Sequence, residues 1–202
     1  MTKNKDIQKN LSFLIHQAKA QGVSDALIIP SNKILVKKEL ARYCSQPKCS
    51  NFGQSLSCPP HVQGPDQFNQ WLKDYTHALF FNIEVPSSIL FSYNASQIFA
   101  VLHDTAAYLE ITAKAMGYDQ ARAFAGGSCK SIFCHDKPDC QGLSPQGLCR
   151  HPDQARPSMS GFGIDVAHLI KIAGWEQQEF IEGKTLAPQK ETAGVYGLVL
   201  IC

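Results

Sequence analysis

Between Asp6 and Gln21 the apolar side chains fall at Ile7, Leu11, Leu14, Ile15 and Ala18, the three-and-four spacing of a helix with one buried face, and Gly22 is placed to end it. Ala26 to Ile29 and Lys33 to Val36 are short apolar or alternating runs flanking Pro30-Ser31-Asn32, which predicts a strand pair. Gly64-Pro65 opens a short amphipathic helix, Pro65 to Tyr75, with Phe68, Trp71, Leu72 and Tyr75 on its apolar side. His77 to Val85 is a continuous apolar run closed by Pro86 and reads as a buried strand. A long helix is predicted from about Ala95 to Met116, with Ile98, Val101, Leu102, Thr105, Tyr108, Leu109 and Thr112 along one face. Arg122 to Ala125 predicts a short strand leading into Gly126-Gly127-Ser128-Cys129. Ile164 to Ala173 predicts a helix with Asp165 near its start, and Val195 to Ile201 a last buried strand. Strands alternate with helices, so the predicted fold class is α/β, a layered sandwich of two or three layers.

Composition adds that a chain of 202 residues, 44% hydrophobic and 18% charged, can bury a core without cross-links. The formal net charge of +2, with both signs interspersed, leaves no electrostatic footprint for nucleic acid or anionic lipid. Met1 to Asn10 is polar, and no apolar run approaches the roughly 18 to 20 residues of a membrane span, so a cytoplasmic protein with no membrane partner is expected.

Eight cysteines then need a reason other than disulfides, because the cytosol keeps thiols reduced, and metal ligation is the leading one. Seven of them form two groups. The first is Cys44-x4-Cys49-x8-Cys58, followed by Pro59-Pro60. The second is Cys129-x4-Cys134-x5-Cys140-x8-Cys149, followed by Arg150-His151-Pro152. Both groups open on an x4 spacing, close on an x8 spacing and place proline soon after the last thiol. Thiolate is a soft ligand suited to iron-sulfur clusters or zinc, and the absence of any Cys-x2-Cys pair favours one or two 4Fe-4S clusters over zinc. The chain 1–202 is accordingly expected to be one metal-binding domain with cysteine loops at 44–60 and 126–158.

The ligand count differs between the groups. Cys129, Cys134, Cys140 and Cys149 can close a cluster, whereas Cys44, Cys49 and Cys58 need a fourth ligand from His61, Cys202, a carboxylate or a small molecule. An incompletely ligated iron is a place for substrate. Cys202 is left out of the ligand set as incidental, and His61 reads more readily as a surface or hydrogen-bonding histidine.

Other polar residues have two readings each. Arg156 and Ser158 could contact an anion near a helix start, or Arg156 could pair with a carboxylate while Asp165 caps the helix; the second is favoured. Gly126-Gly127 could bring backbone close to a cluster or simply turn the chain. Lys130, Arg150 and His151 could offset thiolate charge or be surface residues. Trp71 and Trp175 have core spacing and no assigned role. Dinucleotide, phosphate-loop and serine-elbow motifs are absent, as is the Cys-x3-Cys-x2-Cys triplet of radical S-adenosylmethionine enzymes.

Cys58-Pro59-Pro60, Gly126-Gly127-x-Cys129, Cys149-x-His151-Pro152, Arg156-Pro157-Ser158-Met159, Gly163-Ile164-Asp165-Val166 and the closing Tyr196-Gly197-Leu198-Val199-Leu200 together resemble the bacterial and archaeal predicted metal-binding protein family, domain of unknown function 2284. The likeness runs from about Cys44 to Ile201. It implies metal binding through the cysteines and supplies no substrate. Three functions follow as expectations: electron transfer with a redox protein partner, an enzyme whose three-thiol cluster binds a small-molecule substrate for non-redox or sulfur-removal chemistry, or a zinc-stabilised structural module.

Overall fold

The computed structural model describes residues 2–145, 147–175 and 191–202. Helix α1 (Thr2–Ala20) buries Leu11, Leu14 and Ala18, as its periodicity predicts, and strand β1 (Asp25–Pro30) follows. The predicted strand at Lys33 to Val36 does not form. Ser31 to Lys33 make one 3-10 turn, Ile34 enters the core, and Val36 contributes a single bridge to Ile164. The reason is a better partner for β1: strand β2 (His77–Pro86) pairs with it from Asp25↔Asn82 to Pro30↔His77, a longer and more apolar ladder than a local hairpin would give.

Between these strands lie the short helix α2 (Lys38–Arg42), the first cysteine loop and helix α3 (Gly64–Trp71). Helix α4 (Ser87–Leu90) and the long α5 (Ala95–Ala115) then lead to β3 (Arg122–Ala125), after which α6 (Cys129–Phe133) opens the second cysteine loop. Helix α7 (Val166–Ala173) and strand β4 (Thr192–Leu200) complete the described elements. The four strands form one antiparallel sheet in the order β1-β2-β4-β3.

Alternation along β2 and β4 splits the core between the two faces. Leu79, Phe81, Val195 and Val199 face α1 and α5, while Phe80, Leu198 and Leu200 face α3 and α7 with Phe68, Phe124 and Phe162. The α/β sandwich expected from the sequence is therefore present with three layers.

Helix α5 sits in a different phase from the one its apolar residues predict. Val101 (45% exposed) and Tyr108 (36%) face outward, while Leu102, Ala106, Leu109 and Ala113 face the sheet. Small alanines let the helix approach the strands closely, and that gain outweighs burial of the two larger side chains.

The same helix buries two polar anchors. Arg156 Nε donates to Glu110 Oε2 at 2.9 Å, and the backbone N–H of Ala123 donates to the same carboxylate oxygen at 2.9 Å. His103 Nδ1 accepts from Arg156 N at 3.1 Å, which leaves Nε2 to carry the proton toward the carbonyl of Gly126 at 3.2 Å. The two anchors tie α5 to both ends of the second cysteine loop.

Burial, opposed by the Gly126 hydrogen bond and aided by Arg156, pushes the His103 imidazole down to about 4. His103 is neutral when folded and takes a proton more readily when unfolded. Its contribution to stability is complete above about pH 6.5 and is lost as pH falls toward 4, on the order of 3 kcal/mol over the window. Urea denaturation at pH 7.5 and 4.5 is expected to show that loss in the wild-type protein and a smaller one in His103→Gln.

Candidate metal centre

The segment 156–166 holds the two cysteine loops together. On one side Ser158 N donates to Ser57 O at 2.9 Å, beside Cys58, and Ala125 N donates to Pro157 O at 3.1 Å. On the other, Lys37 N donates to Gly163 O at 2.8 Å and Asp165 N to Leu35 O at 2.9 Å, which sets the start of α2 and hence Cys44. Gly163 has φ +68°, and a Cβ there would run into the carbonyl of Lys37, so glycine is required by conformation and by space. Asp165 caps α7 through His168 N at 3.0 Å and pairs with Lys37 at 2.7 Å. Arg156 and Asp165 thus play the structural parts favoured for them, while Ser158 and Ser160 do line a cavity.

That cavity, of about 980 Å³, has Cys44, Cys49 and Cys58 in its wall. Cys58 is buried, Cys44 half-buried and Cys49 exposed. Burial pushes the Cys44 thiol up, and the neighbouring sulfurs of Cys49 and Cys58 add to the effect. Side chains from α2, α7 and β4, among them Leu40, Ile170 and Tyr196, complete the wall.

Cys129, Cys134, Cys140 and Cys149 surround a second, much smaller space of about 20 Å³. Cys129 is the first residue of α6, and Cys134 its cap. Gly127, at φ +85°, makes the turn from β3 into this helix. A Cβ on Gly127 would stand 2.9 Å from the Phe99 ring, so the turn is packed as well as bent. Lys130 Nζ donates to the carbonyls of Cys134 (2.7 Å) and Lys137 (2.6 Å) and so pins the loop. Arg150 bonds Asp139 O at 2.9 Å and also stands beside the Cys134 sulfur. His151 N donates to Cys149 Sγ at 3.3 Å, and its ring stacks on Phe133 with centroids 5.3 Å apart. Of the three basic residues, Arg150 places a positive charge at a sulfur and Lys130 faces carbonyls.

The two groups meet through a crossed pair of dipeptides. Ser57-Cys58 lies against Ser128-Cys129, with Ser57 Oγ 2.9 Å from Cys129 Sγ and Cys58 Sγ 3.2 Å from Ser128 Oγ. Ser55 Oγ extends the network to Ser57 Oγ at 3.0 Å. Burial pushes the Cys129 thiol up. The Ser57 and Ser55 hydroxyls pull against it, and the Cys58 and Cys140 sulfurs reinforce it. Ser55 and Ser57 are missing from the residues singled out by sequence, and Ser128 appears there only as part of the turn into Cys129; a serine directly before Cys58 and before Cys129 is the readable sign of the pair.

All eight cysteines are free thiols. The side chain of Cys202 stands apart from both groups, its Sγ 3.6 Å from His77 Nδ1 and from Thr76 Oγ1, and His61 is exposed and lines neither cavity. Among the described residues no three His, Cys, Asp or Glu side chains form a ready-made group for a single metal ion; the thiols surround spaces instead. A donor set made of sulfur suits a soft metal centre, and the larger space has room for a cluster and a ligand together. The smaller has the donors around a volume near that of one water, so its loop must spread to take anything bulkier.

Among the described residues no helix is long and apolar enough to cross a membrane. A family model described as "Predicted metal-binding protein (DUF2284)" matches residues 27–201. Nothing among curated proteins and nothing among solved structures matches the chain.

Differential alkylation of the reduced, metal-free protein, read by mass spectrometry, is expected to label the exposed Cys49 and Cys149 first. Cys44, Cys58 and Cys129 should follow several-fold more slowly, because burial limits access and, for Cys44 and Cys129, also disfavours the thiolate.

Proposed function

The chain belongs to the predicted metal-binding family just described, and from that premise we propose that it is an iron-sulfur protein with two centres, acting in electron transfer or redox chemistry with a partner. The reading is carried by one observation: seven free thiols stand in two groups, each around its own space, and the groups abut through the crossed Ser57–Cys129 and Ser128–Cys58 contacts. Cys129, Cys134, Cys140 and Cys149 would hold one centre, and Cys44, Cys49 and Cys58 the other.

When bound, a 4Fe-4S cluster held by three thiolates supplies electron storage and one iron without a protein ligand, a Lewis-acid position for a small molecule. The protein's own contribution is to set charge and access. Ser57 Oγ lies 2.9 Å from Cys129 Sγ, Ser128 Oγ accepts from the Cys58 thiol at 3.2 Å, and Arg150 stands at Cys134; with the thiols ionised as ligands, both hydroxyls could donate to sulfur, and each group would draw electron density from a thiolate and raise the reduction potential. The crossing places thiols of the two groups, Cys58 and Cys129, beside one another's serines, and bound centres there would be neighbours for electron transfer. Elsewhere, apolar side chains from α2 and α7 line the cavity beside the three thiols.

The narrowness of the four-thiol space favours a second reading for that group alone, a structural zinc that pins the loop. Anaerobic purification with iron, sulfide and zinc analysis and electron paramagnetic resonance separates the two. Iron and sulfide for two centres without zinc are expected; iron and sulfide for one centre with stoichiometric zinc supports the second reading, and zinc without sulfide sinks the cluster reading altogether. Cys44→Ala and Cys134→Ala proteins should each lose about half the iron; complete loss from either change shows one shared centre or coupled folding.

A further inference from the structure

The three-thiol cavity has a character of its own. Its volume of about 980 Å³ lies at the upper end of the range for sites that enclose a small organic molecule. Phe52, Ile164, Val166 and Ile170 make most of the wall apolar, and Tyr43 and Tyr196 add aromatic faces. No lysine or arginine is among the described residues that line it. Asp165 is the one carboxylate there, and Lys37 already neutralises it at 2.7 Å. Lys48 stands over the Phe52 ring, 6.0 Å from its centroid, outside the lining. An anionic ligand would lose its hydration and find no counter-charge among the described residues of this wall, a cost that disfavours phosphates, nucleotides and acyl carriers built on them. Ser158 and Ser160 offer hydroxyls that can orient a neutral molecule.

We propose that this cavity binds an uncharged, largely apolar small molecule that presents one sulfur, as a thiol or thioether, to the centre held by Cys44, Cys49 and Cys58. The inference rests on the cluster reading above and names the ligand class for its open position: a soft metal centre selects a soft donor atom, and the wall selects the apolar body behind it.

The structure supplies a reporter that does not depend on the metal. Trp175 stacks on Phe80 at 5.0 Å, Phe80 stacks on Tyr196 at 5.7 Å, and Tyr196 lines the cavity. With Trp71→Phe removing the other tryptophan, emission from Trp175 reads occupancy. Ala167 also lines the cavity and is exposed on α7, so replacing it fills or charges the wall without disturbing the core.

The test uses anaerobically isolated, metal-loaded protein and three probes: benzyl mercaptan, benzyl alcohol of the same shape, and anionic 2-mercaptoethanesulfonate. Benzyl mercaptan is expected to change Trp175 emission saturably and to shift the paramagnetic resonance spectrum. Benzyl alcohol should bind at least tenfold more weakly and leave that spectrum unchanged, and the sulfonate should fail to saturate. Ala167→Phe should abolish benzyl mercaptan binding, and Ala167→Lys should admit the sulfonate. If the alcohol binds as well as the thiol, the sulfonate binds better than either, or nothing saturates, the inference is overturned while the cluster stands. Iron and sulfide analysis of the same sample keeps the underlying reading separate, since protein without sulfide overturns the cluster and this ligand class together.

Discussion

The two cysteine loops are held against each other where two Ser-Cys dipeptides, Ser57-Cys58 and Ser128-Cys129, meet with each hydroxyl against the other's sulfur. Neutral hydrogen bonds of this kind contribute only about 0.5 to 1.5 kcal/mol each, so they cannot assemble the site. The fold assembles it for them. The 156–166 segment runs between the two loops, bonded to Ser57 on one side and to the approach of α2 on the other, and its Phe162 is packed edge-on to Phe124 at 5.2 Å and tilted against Phe68 at 5.6 Å. An apolar core thereby fixes the separation of the two groups of thiols.

The layered architecture divides labour across the sheet. On one face α5 supplies His103 and Glu110, whose bonds to Gly126, Arg156 and Ala123 hold the flanks of the four-thiol loop. On the other face α7 supplies one wall of the three-thiol cavity and has its first turn capped by Asp165. A buried ion pair such as Arg156–Glu110 adds little net stability over an apolar replacement, yet removing either partner leaves a charge stranded. It is better understood as fixing where the loop leaves the helix.

Much of the fold was legible in the sequence because periodicity reports burial directly. The runs at His77 and Val195 are strands since both their faces are covered, and the helix at Ala95 ends within a residue of its predicted limit. What was not legible came from competition between partners. Lys33 to Val36 lost its strand because β1 had a better neighbour, and α5 turned its phase because alanines pack closer than Val101 and Tyr108. The grouping of cysteines by spacing matches the two cavities they line, with Cys202 outside both. The cavity itself could not be read, because Leu40, Ile170 and Tyr196 come from three elements whose packing only the tertiary fold decides.

The contrast between a space of about 980 Å³ and one of about 20 Å³ bears on biogenesis. A guest can enter the first after folding is complete, through an opening already present. On the proposed reading, a centre in the second would be filled while the loop between Cys134 and Cys149 is still apart, because Lys130 and Arg150 bond it to the carbonyls of Cys134, Lys137 and Asp139. If both spaces hold centres as proposed, maturation would have an order: the crowded one would be loaded first, during closure, and the roomy one afterwards.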